Sequence, residues 1–190
     1  MTGRLHSIQS LGAVDGPGLR AVAFLQGCPL RCAYCHNPDT WDPAGGEEIE
    51  AASLAKRLLR YRGYWGKEGG VTVTGGEPLF QAAFVEELFT ILQGEGVHTA
   101  LDTSCTGDLA AATRVLDHTN LVLADLKFLT EKDYAKYCRG SLSRVEAFLR
   151  LTEQMGVPLW IRHVVVPGLT DGEAHIRALG EKASSFRNLQ

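Results

Sequence analysis

No apolar run in this sequence approaches the roughly 20 residues that a membrane-spanning helix needs, so no membrane span is expected. The stretch from Met1 to Gln9 carries Arg4 and His6 but no apolar core segment, which argues against a signal peptide and makes the cytoplasm the expected compartment. Neither sign of charge dominates. Lys and Arg number 19 against 22 Asp and Glu, a net of −3, so nothing points to nucleic acid or to an anionic membrane surface as partner. Low-complexity segments and internal repeats are also missing. Cysteines are few, five in 190 residues, and in a reducing compartment they are expected as metal ligands or free thiols rather than disulfides. They do not form the two separated pairs that structural zinc sites usually draw on.

What remains is an ordinary soluble composition, 45% hydrophobic and 22% charged, in a chain long enough for one domain with a sizeable core. Three of the cysteines stand together in Gln26-Gly27-Cys28-Pro29-Leu30-Arg31-Cys32-Ala33-Tyr34-Cys35-His36-Asn37. The spacing is C-x3-C-x2-C. Three thiolates so placed can hold three corners of an iron–sulfur cube and leave one iron without a protein ligand. The competing reading is a zinc ion bound by the same cysteines with His36. Adjacent ligands at Cys35 and His36 suit a tetrahedron poorly, and the spacing favours the cluster. Cys105 and Cys138 stand alone in sequence.

Taken in order, the chain alternates strands and helices. Leu5–Leu11 is a modest strand candidate, and Asp15-Gly16-Pro17-Gly18 is turn chemistry. Arg20–Gln26 reads as a buried strand whose C-terminal end feeds the cysteine loop. Ile49–Tyr61 has helical spacing through Ile49, Leu54, Leu58 and Leu59. Val71–Thr74 is a short strand ending at Gly75-Gly76-Glu77-Pro78, and Phe80–Leu92 is helical, closed by Gly94 and Gly96. Val97–Asp102 is a third buried strand, followed by a helix over Asp108–Leu116. Leu121–Leu126 is a fourth strand, followed by helices about Glu131–Tyr137 and Ser143–Met155. Pro158–Val166 is a fifth strand and Asp171–Ser184 a last helix. This pattern predicts an α/β fold with a parallel sheet and helices outside it, curled by right-handed crossovers into an open or partial barrel. The polar and glycine-rich segments fall at the C-terminal ends of strands, which is the edge where parallel α/β folds bind ligands.

Each of these segments has an ordinary reading beside the functional one. Gly75-Gly76 can bring backbone close to a ligand, and the Glu77 carboxylate can take an ammonium or a hydroxyl; the same residues also suit a turn before a helix, with Pro78 in its first turn. Asp102 can cap a turn. Asp125 and Lys127 share a strand face and suit an ion pair at the rim, the commoner case for such neighbours. Arg162 and His163 are adjacent in a strand, so they point to opposite faces. His98 and His118 read as surface or core residues rather than ligands.

The cysteine loop, with Tyr34 before its last cysteine, resembles that of the radical S-adenosylmethionine (SAM) enzymes. The motif set as a whole is Asp15–Arg20, Cys35-His36-Asn37, Asp39-Thr40-Trp41, Val71–Glu77, Leu101-Asp102-Thr103, Asp125-Leu126-Lys127, Trp160-Ile161-Arg162 and Val164–Gly168. It is collinear from about Arg4 to Asp171 and resembles the pyruvate formate-lyase activating enzyme family, whose members activate glycyl radical enzymes. The resemblance implies a partial (β/α)6-type radical SAM barrel, present here as about five βα units in a single domain over residues 1–190. It implies that Cys28, Cys32 and Cys35 hold a [4Fe-4S] cluster whose open iron is chelated by the methionine end of SAM. Tyr34, Cys35 and His36 are then expected along the adenosine side, Gly75, Gly76 and Glu77 at the methionine ammonium, and Asp125, Leu126 and Lys127 along the other wall. Asp102, Thr103, Asp125 and the Leu123 carbonyl match positions that hold a monovalent cation. The implied reaction is reductive cleavage of SAM and abstraction of hydrogen from a glycine of pyruvate formate-lyase under anaerobic conditions. No side-chain acid or base is assigned.

The resemblance further implies reduced flavodoxin or ferredoxin as electron donor, and a monomer is expected. The absence of cysteine between Cys35 and Cys105 favours the single-cluster form. The family's sixth strand, with a histidine that touches the cofactor, has no counterpart before Gln190, so the chain is expected to be C-terminally truncated, with the edge of the fifth strand uncovered. The alternatives from the sequence are an activase of another glycyl radical enzyme, such as anaerobic ribonucleotide reductase; an inactive, truncated iron–sulfur protein or electron carrier; and a zinc module.

Overall fold

The computed structural model describes residues 1–190. Seven strands form one sheet: β1 (Thr2–Gly12), β2 (Arg20–Leu25), β3 (Glu47–Glu50), β4 (Gly70–Gly75), β5 (His98–Thr103), β6 (Leu121–Asp125) and β7 (Leu159–Arg162). Six helices accompany them: α1 (Ala51–Leu59), α2 (Ala82–Gly94), α3 (Leu109–Leu116), α4 (Glu131–Cys138), α5 (Leu142–Met155) and α6 (Glu173–Ala183). The strand order is β3-β1-β2-β4-β5-β6-β7. From β2 to β7 every pairing is parallel, which gives the five expected βα units of a partial radical SAM-type barrel. No helix is long and apolar enough to cross a membrane.

The sheet is mixed rather than wholly parallel. β1 runs antiparallel to β2, and β3 antiparallel to β1. Ile49 and Glu50, expected to open a helix, instead belong to β3, and α1 starts at Ala51. Ile49 is the only buried residue of that strand, so its apolar signal fell into helical step with Leu54 and Leu58. The last parallel strand is also shorter than expected, because the chain leaves the sheet after Arg162. His163 Nδ1 bonds the Leu126 carbonyl at 2.7 Å, and the buried Thr170 hydroxyl bonds both Val164 O and Val166 N, at 2.9 and 2.8 Å. The free edge of β7 is partly covered. Leu159 N donates to Asn188 O and Gln190 N donates to Leu159 O, both at 3.0 Å.

The two faces of the sheet differ in chemistry, and that difference positions the site. One face packs Ala21, Ala23, Leu25, Val71, Val73, Leu101, Val122 and Ala124 against the helices, in a core that includes Leu54, Leu58, Phe84, Leu88, Phe89 and Phe148. The alternate residues form the concave face. Ala100, Leu121, Leu123 and Trp160 make a small apolar cluster there. Two residues further along each strand, the period of 2 brings polar side chains to the same face: Thr74, Asp102, Asp125 and Arg162. The concave face is therefore apolar at its floor and charged at the C-terminal ends of the strands.

Candidate functional site

The root of the cysteine loop is clamped on both sides. Gly27 N donates to Thr40 O at 2.7 Å, and Gly27 O accepts from Glu77 N at 2.9 Å. The neighbouring Gly76 N donates to Leu25 O at 2.8 Å. Gly75 has φ +116, and a Cβ there would collide with the Leu25 backbone; at Gly76 a Cβ would collide with the Gly27 carbonyl. Only glycine lets these two turns press together. Arg31 holds the loop's own shape by donating from Nη1 to Cys28 O and Leu30 O at 2.7 and 2.6 Å, and it lies 5.0 Å over the Trp41 ring. The loop's far side docks on the end of α4, where Arg31 N donates to Cys138 O and Ala33 N to Tyr137 O, both at 2.8 Å.

One cleft collects what these elements carry. Cys28, Cys32 and Cys35 line it with Tyr34, His36, Asn37 and Trp41. The sheet contributes Thr74, Gly75, Gly76, Asp102, Thr103, Ser104, Asp125, Lys127 and Arg162, and Leu30 and Val164 complete the wall. Four segments far apart in sequence converge on one mouth at the C-terminal ends of the parallel strands, the arrangement expected of a ligand site in this class of fold.

Residues 22–179 match the radical SAM superfamily. The pyruvate formate-lyase-activating enzyme of Clostridium pasteurianum is 46% identical over 189 residues, 99% of this chain and 79% of that protein. The enzyme of the same name from Staphylococcus epidermidis is 43% identical over 200 residues, 100% of this chain and 79% of that protein. A domain of a pyruvate-formate lyase-activating enzyme from Bacteroides vulgatus superposes with a TM-score of 0.57 at 26% identity, over 62% of this chain and 73% of that domain. The chain belongs to the radical SAM superfamily, among the pyruvate formate-lyase-activating enzymes.

For a radical SAM enzyme the thiol set is suitable. All three loop cysteines are partly exposed and none is in a disulfide. No three His, Cys, Asp or Glu side chains converge on a point that would hold a single metal ion, so His36 does not complete a ready-made zinc tetrahedron with them. A cube carries its irons at separate corners and does not need that convergence. Burial pushes the Cys28 thiol up to about 11, and the Cys32 thiol is pushed up by its hydrogen bond with Cys138 and then by burial. Loading a metal on these sulfurs therefore releases protons. Lys127 offsets part of the rise at Cys32.

The charged rim is a chain of pairs. Lys127 Nζ donates to Asp125 Oδ2 at 2.6 Å, as its place two residues along the strand suggested. Arg162 Nη1 lies 3.4 Å from Asp102 Oδ2 and Arg162 Nε 3.7 Å from Asp125 Oδ1. Thr74 Oγ1 also donates to Asp102 Oδ2, at 2.8 Å. Burial, and then the neighbouring Asp125, raise the Asp102 carboxyl to about 7 against the pull of Arg162 and Thr74. Burial disfavours the Lys127 charge, but Asp125 and Cys32 outweigh it and the ammonium is held above its ordinary range.

Three expected roles change. Glu77 does not present its carboxylate to the cleft. It is fully buried, with Oε1 accepting from Leu79 N at 2.9 Å and from Thr103 Oγ1 at 2.7 Å. Its Oε2 accepts from Ser104 N at 2.8 Å and from the Ser104 hydroxyl. Every oxygen is taken by an internal donor, so the ordinary reading of this residue, a cap on the short turn Pro78–Gln81, describes the side chain seen here. The cation reading of Asp102, Thr103, Leu123 and Asp125 meets a guanidinium instead. Arg162 lies between the two carboxylates, and Thr103 turns its hydroxyl to Glu77. Leu126 is fully buried, its N–H bonded to Arg162 O and its carbonyl to His163, so it supports the wall from behind.

Cys138 is not remote from the triplet. Although 106 positions separate it from Cys32 in sequence, the bonds from Arg31 N and Ala33 N to the Cys138 and Tyr137 carbonyls bring it beside Cys32. Arg162 and Ser104 are cleft residues that the sequence assigned no role. Strand alternation, which puts Arg162 on the face of Trp160, is the signal that reaches the first; nothing in the sequence distinguishes the second.

Proposed function

We propose that residues 1–190 act as one radical SAM domain that generates a glycyl radical on pyruvate formate-lyase. Cys28, Cys32 and Cys35 would hold a [4Fe-4S] cluster. Tyr34, Cys35 and His36 would lie along the adenosine of SAM, Gly75 and Gly76 would offer backbone groups to its methionine end, and Asp125 and Lys127 would form the opposite wall. The observation that carries this reading is the convergence of the three cysteines, the two-glycine turn and the paired charges on one cleft. When bound, the cluster and SAM would supply one-electron cleavage of the sulfonium and a 5′-deoxyadenosyl radical able to take a hydrogen from a backbone glycine.

The chain's own contribution is placement. Trp41, Leu30 and Val164 add apolar surface to the cleft wall, and Arg31 keeps the cysteine loop folded. No side chain is required to accept or donate a proton at the reacting carbon. The reading includes a reduced flavodoxin or ferredoxin as donor, an anaerobic cytoplasmic setting and a monomeric protein. The test is anaerobic reconstitution with iron and sulfide, reduction, and assay for 5′-deoxyadenosine, followed by electron paramagnetic resonance with pyruvate formate-lyase. A glycyl doublet on that partner is expected. A doublet only on anaerobic ribonucleotide reductase would move the chain to another activase, and a loaded cluster that never yields 5′-deoxyadenosine would make it an electron carrier.

A further inference from the structure

A fourth sulfur, with no part in the reading above, lies next to the cysteine loop. Cys138 ends α4 and is fully buried in the main core. It is brought to Cys32 by a two-rung backbone clamp, in which the N–H groups of Arg31 and Ala33, flanking Cys32, bond the carbonyls of Cys138 and Tyr137 at 2.8 Å each. Arg139 follows with φ +54, the left-handed cap that turns the chain away and leaves the Cys138 side chain facing the loop. The buried Tyr34 hydroxyl has no hydrogen-bond partner. Cys32 lines the cleft and is partly exposed, whereas Cys138 is fully buried.

We propose that Cys32 and Cys138 form a reversible disulfide when the chain carries no cluster and meets peroxide. This takes Cys32 as a cluster ligand from the proposed function only to explain the consequence; the bond itself depends on the two thiols alone. Peroxide enters by the cleft and oxidises the Cys32 thiol to a sulfenic acid, and one water leaves. The Cys138 sulfur then attacks the Cys32 sulfur. The S–S bond forms, the S–O bond breaks, and the hydroxyl departs with the Cys138 proton as a second water. Two thiols have lost two electrons and one peroxide has gained them. The product removes one of three sulfurs from the cleft, so the oxidised chain cannot take up a cube, and it stops Cys32 short of the irreversible sulfinic acid. A thiol reductant restores both sulfurs.

The test uses the 190-residue apoprotein, reduced, desalted, exposed to hydrogen peroxide, blocked with N-ethylmaleimide and mapped by mass spectrometry without reduction. The expected product is a peptide pair joining Cys32 to Cys138, two hydrogens lighter than the free pair, with Cys28 and Cys35 alkylated. Full alkylation of Cys138, or crosslinks confined to Cys28, Cys32 and Cys35, would overturn the proposal. In a second measurement, peroxide-treated wild-type protein should lose iron uptake until dithiothreitol is added, while Cys138→Ser, treated identically, should carry Cys32 on to sulfinic acid that dithiothreitol does not reverse. Equal recovery of both proteins would also overturn it. Because the crosslink is read in apoprotein, it remains measurable whether or not the chain assembles a cluster.

Discussion

Replacing Glu77 separates two accounts of the two-glycine turn. In the structure its carboxylate is a buried brace for four donors: Leu79 N, Ser104 N, and the hydroxyls of Thr103 and Ser104. In Glu77→Ala the hydroxyls can turn elsewhere, but the two N–H groups stay where the backbone fixes them, each at about 1–3 kcal/mol when buried and unpaired. The one lost methylene adds about 0.8 kcal/mol. Relief of the cost of burying a carboxylate offsets part of this, leaving a net loss of about 3–5 kcal/mol. At this chain length that lowers the melting temperature by about 10 °C. Glu77→Gln keeps an oxygen for Leu79 N and Thr103 but sets an amide N–H against Ser104 N, at about 1–3 kcal/mol. Urea titration of the apoprotein measures both. SAM affinity of the reconstituted protein should then fall in step with stability. If Glu77→Ala unfolds at the same urea concentration as the parent and yet no longer binds SAM, the carboxylate serves the cofactor and the brace account is wrong.

Cys32→Ala should abolish cluster assembly, because two thiolates do not hold a cube; iron, sulfide and the broad visible absorption are the readouts. Cys105→Ala should retain the parent's iron content, since Cys105 is buried behind Glu77 and lines no part of the cleft. Gly76→Ala should lose about 2–4 kcal/mol in urea titration, because its Cβ meets backbone, which cannot step aside as a side chain can. The Asp102 carboxyl, raised from 3.8 to about 7, keeps its proton in the native state over a range where the unfolded chain has released it. Apoprotein stability should therefore fall as pH rises from about 4 to about 7, by at most about 4 kcal/mol. Asp102→Asn should flatten that slope, and an unchanged slope would contradict the assignment.

The elements legible in the sequence were those with a long, consistent pattern. Phe84, Leu88 and Leu92 recur at helical spacing, and Arg20–Leu25 and Leu121–Asp125 are short apolar strands bounded by turns. β3 leaves no signal because a single buried residue carries no period, and β7 is shorter than its sequence suggests because Val164–Val166 look like strand while Thr170 binds them into a loop. At the site, placement at strand ends was readable, since alternation and topology dictate it. Orientation was not. Nothing in Gly75-Gly76-Glu77 says that the carboxylate turns inward, because its donors, Thr103 and Ser104, arrive from the next strand. The Cys32–Cys138 contact depends on how α4 docks, which no local spacing encodes.

Gly27 carries a consequence for engineering. Its amide and carbonyl tie two otherwise independent loops to one residue, Thr40 on one side and Glu77 on the other. The sulfur-bearing loop is thus not a portable cassette. Grafted onto another scaffold without the facing two-glycine turn, it would lose the anchor that sets its angle, so a successful transplant has to move both loops together.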